Sequence, residues 1–298
     1  MAAHGFKRVL LGFQPGSLGR TINFAVELAN LLDLELLGFF LDDRNLRDLA
    51  STPFARELRP LGGGWHPLDL ERMSRDLEIA ARATERMFIT AAARLAARYQ
   101  FEVIHAPMAE AVACVSRTGD IVMIVEPLSP AERATQQFAW LIEAAFRSAA
   151  AVMFVPMSIV RTSGPIVAIA AAPDDPSVQA AAGIAIAAKE ALIIVHAYDE
   201  GAADDSSIRK QSPDPALTIE HIAGSKSLLS GPAAFSRAFH ELRERLLVMT
   251  RDVFEPEAAS MIAWMRHVPV LIIERPLETI DHTILPRQEM PRDSGTEK

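Results

Sequence analysis

The sequence predicts an α/β chain built as two tandem doubly wound domains, each with a five-stranded parallel sheet, the second abbreviated. Three observations carry this expectation. Apolar runs of strand length alternate with amphipathic runs of helix length along the chain. The strand runs are apolar almost throughout, as parallel strands covered on both faces must be. The block Arg8 to Asp42, with RVLLGF, the turn QPGSLGR, the helical run TINFAVELANLLD and the second strand LELLGFFLDD, returns in approximate form at Pro165 to Tyr198.

In the first half, strand one is Arg8 to Phe13, and Ile22, Ala25, Val26, Ala29 and Leu32 recur at helical spacing to form one apolar stripe. Strand two ends near Leu41. Residues Asp43 to Pro67, with Gly62, Gly63, Gly64 and three prolines, read as a long irregular connection. A long helix follows from about Leu68 to Tyr99, with Leu70, Leu77, Ala81, Thr84, Met87 and Phe88 on its apolar side. Strand three falls at Glu102 to Ala106, a short helix at AEAVACVSR, strand four at IVMIV after Asp120, helix four at Glu132 to Ser148, and strand five at AVMFVP.

After a linker, Met157 to Gly164, the order repeats. Strands are expected at Ile166–Ala171, Leu192–Ala197, Leu217–Ala223, Arg245–Thr250 and Val270–Glu274, and helices at Ser177–Glu190, Pro232–Glu244 and Pro256–His267. The second half has only DEGAADDSSIRKQSPDP where the first has its long helix. One face of its sheet should therefore be covered by the first half or by another chain. Trp140 and Trp264 take matching places in the two fourth helices.

Composition narrows the function classes. A length of 298 residues suits two cores of about 150 residues each. A net charge of −8 argues against nucleic acid and anionic membranes as partners, since phosphate neutralisation needs clustered Lys and Arg. No apolar run approaches the roughly 18 residues of a membrane span. The single cysteine, Cys114, allows neither an intrachain disulfide nor a cysteine metal cluster, and a cytoplasmic location is expected. It lies in an apolar helical run and reads as a buried small hydrophobe.

The duplicated order of elements, with strand endings such as DIVMIV, AVMFVP and VPVLIIE, resembles the universal stress protein family over Lys7–Ser158 and Pro165–Pro276. The resemblance implies Rossmann-like, adenine-nucleotide-hydrolase-like domains over 1–158 and 165–276; the polar, Pro-containing tail over 277–298 is expected to be disordered from its composition. It also implies a role in stress response or regulation. Members associate through their last strand, so a protein partner or self-association, including a homodimer, is expected.

Nucleotide-binding members of that family carry an Asp at the end of strand one and a glycine-rich phosphate loop after strand four. Backbone N–H groups can approach phosphate only where Cβ atoms do not obstruct. Here strand one ends Phe13-Gln14-Pro15, and strand four runs into EPLSPAERATQQFAW, where two prolines lack the donor and Glu126 and Glu132 repel phosphate. The second copy ends TRDVFEPEAASMIAW, without glycine. ATP is therefore a disfavoured cofactor, and none is expected.

Other candidates remain beside that degenerate loop. Gly16, Ser17, Gly19 and Arg20 precede a helix and could hold an anion, or form an ordinary strand-to-helix turn with Ser17 as cap. Asp174 and Asp175, with Asp199 and Glu200, stand at strand ends and could hold a divalent cation, or cap a helix and form turns. His105, His196 and His221 fall in or at the ends of expected strands, and spacing assigns them no Ser, Cys or carboxylate partner. No catalytic residue and no metal site is assigned. The reading reached is a non-catalytic, non-ATP-binding protein acting by protein interaction; the alternatives are a sensor that keeps one nucleotide or small-ligand pocket, and an unrecognised α/β enzyme.

Overall fold

The computed structural model describes residues 5–13, 19–58, 64–94, 97–126, 135–148, 150–158, 161–198, 217–224 and 226–274. Gly16, Ser17, Asp199, Glu200, the first phosphate-loop segment at 127–134 and the tail over 277–298 lie outside the described residues, as do the side chains of Gly19 and Arg20.

The first half runs β1 (Arg8–Phe13), α1 (Gly19–Leu31), β2 (Glu35–Leu41), α2 (Arg44–Ala50), β3 (Arg56–Leu58), β4 (Trp65–Pro67), α3 (Leu70–Arg94), β5 (Tyr99–Ile104), α4 (Met108–Val115), β6 (Asp120–Val125), α5 (Gln136–Arg147) and β7 (Ala151–Val155). The second runs β8 (Ile166–Ala170), α6 (Pro176–Ala188), β9 (Leu192–His196), β10 (Ile219–Ala223), a 3-10 turn (Lys226–Ser230), α7 (Pro232–Ala238), β11 (Leu246–Thr250), α8 (Pro256–Arg266) and β12 (Val270–Ile273).

Ten strands form one sheet in the order β10-β9-β8-β11-β12-β7-β6-β1-β2-β5. Every neighbouring pair is parallel except β7 and β12, which meet antiparallel with Val270 opposite Phe154 and Ile272 opposite Val152. Each half thus has the same winding, and the two are joined edge to edge at their last strands. Helices α1, α3 and α6 cover one face and α4, α5, α7 and α8 the other, each face having its own apolar core. The central strands β7, β8, β9, β11 and β12 are buried at every position, which is why their sequences lack alternation.

Close packing also explains a glycine inside β2. A Cβ on Gly38 would lie 2.7 Å from the Phe88 ring and 2.9 Å from that of Phe101. Those rings pack at 5.5 Å between centroids, and Phe13 meets Phe88 edge-on at 5.9 Å.

Several expectations need correction. The described part of the segment Asp43 to Pro67 holds α2, which Asp43 caps by accepting from the Asn45 N–H, and two short paired strands, β3 and β4. Strand β5 starts three residues earlier than expected, since Tyr99 already pairs with Leu36, and α3 stops at Arg94. Leu70 and Met87 on the supposed apolar side of α3 are exposed. Helix α7 ends at Ala238, six residues early, where the Arg266 guanidinium takes the carbonyls of Ser236, Phe239 and Leu242. Cys114 is exposed, because α4 turns Ala111 and Val112 inward and the position two residues on faces away. In the strand order β9 and β10 lie furthest from the first half.

Candidate functional site

In a doubly wound sheet, ligands bind at the carboxyl ends of strands where the winding reverses. In the second half that point lies between β8 and β11, and Asp175 occupies it with only 3% of its surface exposed. Its Oδ1 accepts the Ser177 N–H at 2.9 Å and its Oδ2 the Ala171 N–H at 2.9 Å, with the Thr250 hydroxyl 3.5 Å away. The buried carboxylate therefore caps α6 and ties the ends of β8 and β11 together. Past β11, Val253 and Phe254 turn into the core, and α8 begins at Glu255-Pro256 without a side-chain cap. Asp174 is exposed and is not brought beside Asp175 as a second ligand.

The corresponding point of the first half lies between β1 and β6, where Phe13 is buried against Phe88 and Phe101 and Glu126 is buried at the strand end. A larger open cleft, about 500 Å³, is walled by Ala113, Trp140, Glu143 and Arg147 on the faces of α4 and α5. It lies away from the strand ends that position chemistry in this fold.

A polar cluster that the sequence did not reveal stands at the ends of β2 and β5. These strands finish in register at Leu41 and Ile104, and the Asp42 N–H donates to the Ile104 carbonyl at 3.0 Å, so Asp42 and His105 emerge side by side. The Asp42 carboxylate is buried. Arg47, one turn into α2, forks onto it through Nε (2.8 Å) and Nη2, while its Nη1 donates to the Ser74 hydroxyl of α3 at 3.2 Å. His105 Nδ1 lies 2.9 Å from the same carboxylate.

The Arg47 fork holds the Asp42 carboxyl below the usual carboxylate range; burial opposes this, and His105 adds to the lowering. The same fork raises Arg47. An ionised carboxylate only accepts, so the Nδ1 of His105 carries the proton and Nε2 is left facing outward. A cavity of about 340 Å³ opens here, lined by Asp42, Arg44, Arg47 and His105. A histidine oriented by a buried carboxylate can take up or release a proton at its outer nitrogen. The exposed Arg44 has no hydrogen-bond or ion-pair partner among the described residues.

His196 and His221 are also brought together. His196 Nε2 lies 3.0 Å from His221 Nδ1, and His196 Nδ1 lies 2.9 Å from the Tyr198 hydroxyl. The rings are parallel within 6° at 5.3 Å between centroids, a separation that exceeds the nitrogen contact by about two ring radii. They therefore meet edge to edge in a line, as an N–H donor and acceptor do. Lone pairs facing each other along that line do not converge on a metal ion.

No family model matches this chain, and no curated protein matches it. Among solved structures, a universal stress protein from Archaeoglobus fulgidus DSM 4304 superposes with a TM-score of 0.63 at 13% identity, over 92% of this chain and 98% of that one. A putative universal stress protein from Pseudomonas aeruginosa UCBPP-PA14 gives 0.49 at 16% identity over 92% and 95%. The cytoplasmic domain of a prokaryotic cation chloride cotransporter gives 0.47 at 10% over 90% and 95%. The chain has a universal-stress-protein-like fold.

Proposed function

We propose that this chain is a non-catalytic regulatory protein on the universal stress protein scaffold, acting in a stress response through protein association and without bound ATP. One observation carries the ATP-independent part. At the second-half crevice the chain leaves β11 through RDVFEPE, which has no glycine, so Cβ atoms stand where a phosphate needs close approach to backbone N–H groups, and the N–H groups of Ala171 and Ser177 are already taken by the buried Asp175 carboxylate. Val253 and Phe254, packed inward beyond β11, close the crevice further. In the first half the sequence EPLSPAE supplies two prolines and two glutamates in place of glycines.

Association is supported by exposed aromatic side chains, Phe54 at 90%, Trp65 at 65% and Trp140 at 50%. No helix among the described residues is long and apolar enough to cross a membrane, which is consistent with work in the cytoplasm.

Calorimetric titration with MgATP tests the first part: no saturable heat is expected, and a dissociation constant of about 10 μM or tighter sinks it. Sedimentation velocity over a hundredfold range of concentration tests self-association. A second reading, a small-ligand sensor, is favoured by one specific observation, the Asp42–Arg47–His105 cavity.

A further inference from the structure

We propose that the cavity at the ends of β2 and β5 binds the oxyanion group of a small ligand, a carboxylate or a tetrahedral phosphate-like anion, held by the Arg44 guanidinium and the outer nitrogen of His105. The proposal stands on four placed side chains. Asp42 is buried and its two oxygens are engaged by Arg47 and by His105 Nδ1. Arg47 is in turn engaged by Asp42 and Ser74, so it neutralises the buried carboxylate and holds its place without needing a ligand. The cation lining the cavity without a protein partner among the described residues is Arg44. The net charge of Asp42, Arg44 and Arg47 together is positive, which suits an anion and disfavours a metal cation.

The volume, about 340 Å³, admits a small molecule and not only an ion. The site sits on rigid supports: two strand ends in register, a capped helix and a tie to α3. It is offset from the β1–β6 point, where this fold class places a nucleotide: in the order β6-β1-β2-β5 the cavity stands at the β2–β5 step, and the β1–β2 step lies between the two. It does not depend on whether ATP binds, so the two readings fail separately.

The tautomer adds a condition. With Nδ1–H donated to Asp42, neutral His105 presents an acceptor at Nε2, which repels an anion; only the imidazolium presents a donor there. The titratable and charged groups lining the cavity are Asp42 from the end of β2, Arg44 and Arg47 from α2, and His105 itself. Neither arginine changes charge in the range where an imidazole titrates, and the Arg47 fork keeps Asp42 ionised there. Binding should therefore strengthen as His105 takes up its second proton.

The test is NMR titration of the full chain, following the His105 imidazole resonances, with sulfate as the tetrahedral probe and acetate as the planar one. Both probes keep a constant charge between about pH 6 and pH 8. Saturable shifts are expected with at least one of them, with affinity at least about fivefold tighter at the lower pH. Arg44→Ala should weaken binding about tenfold or more, and His105→Gln should abolish the pH dependence. Arg98→Ala, an exposed arginine elsewhere, should change nothing. A tighter response to sulfate assigns a phosphate-like ligand, and a tighter response to acetate assigns a carboxylate. Flat titrations with both probes in the unaltered protein, or an Arg44→Ala response equal to the parent's, would overturn the proposal. Arg44 is exposed, so its loss should leave the fold intact, and an unchanged amide spectrum checks this.

Discussion

Replacing Arg251 by alanine should weaken the join between the two halves. This residue follows β11, yet its guanidinium crosses to the end of α5 in the other half, donating to the carbonyls of Phe146, Ser148 and Ala150 and lying 5.4 Å over the Phe146 ring. The carbonyls of Phe146 and Ser148 stand at the end of the helix and that of Ala150 just before β7, so the arginine completes a cap across the chain and ties it to the strand that follows. Each charge-assisted bond contributes about 1.5–3 kcal/mol, and three cannot simply be added because they share one group. Against them stands burial, which lowers the Arg251 pKa and leaves its Nε without a partner among the described residues. Truncation returns that desolvation cost and lets water reach some of the carbonyls. The net loss should be about 3 kcal/mol. With a urea slope near 3 kcal/mol per molar for a chain of this size, the midpoint should fall by about 1 M. Arg251→Lys should recover less than half of this, since one ammonium cannot span three divergent acceptors. A midpoint shift below about 0.2 M for Arg251→Ala would refute the reasoning, because the cap would then contribute nothing measurable.

Arg266→Ala should cost more, about 3–5 kcal/mol by urea unfolding, because it removes the forked partner of the fully buried Glu244 carboxylate, which Arg266 grips through Nε and Nη2, and leaves it only the looser contact with Arg161 at 3.8 Å among the described residues. Gly38→Ala should cost about 1–3 kcal/mol, since its Cβ would press on the Phe88 and Phe101 rings; an unchanged melting curve would show that those rings shift freely. For Asp42 the folded-state pKa is depressed, so its contribution to stability is present above the unfolded-state value and is lost as pH falls through the lowered folded value. Removing the fork by Arg47→Met should accordingly raise the midpoint of acid unfolding, followed by circular dichroism; a midpoint that stays put contradicts the assignment.

The fold was legible because parallel strands buried on both faces declare themselves. DIVMIV, AVMFVP and PIVAIA admit few other readings, and each falls within a residue or so of its observed strand. The edge strands were harder. YQFEVI has only two half-buried positions besides its exposed ones, and its polar residues and neighbouring helix blurred its start. That misplacement had a cost for the site. With strand three set at Glu102 to Ala106, His105 sits inside a strand, far from a carboxylate; with β5 ending at Ile104 beside Leu41, it follows directly as the neighbour of Asp42. Pairing and register, which depend on tertiary packing, carry that information, and periodicity does not. The carboxylates named from sequence divided in the same way. Asp175 proved a cap, which PDDPS does encode locally, while the tie to Thr250 joins two residues that are 75 apart in sequence.

The antiparallel meeting of β7 and β12 fixes where such sites can act. All strands of one half point their carboxyl ends to one edge of the sheet, and those of the other half point to the opposite edge. The Asp42–His105 cavity and the Asp175–Thr250 crevice therefore open on opposite edges, and no small ligand touches both. Coupling between them would have to pass through β1, β6, β7, β12 and β11, whose cores are buried in close packing, and through the hold of Arg251 on α5. Energetic coupling needs an element with two arrangements, and a layer this densely packed supplies one. A change of charge at His105 is consequently felt close by. The neighbouring elements are α2, which carries Arg44 and Arg47, and the paired strands β3 and β4 that follow it, tethered to α3 by the Arg72–Glu57 ion pair and closed at their base by the Leu68 N–H on the Ala55 carbonyl. That region carries exposed Phe54 and Trp65, and on the two proposals above it is the surface through which an occupied cavity would bear on a protein partner.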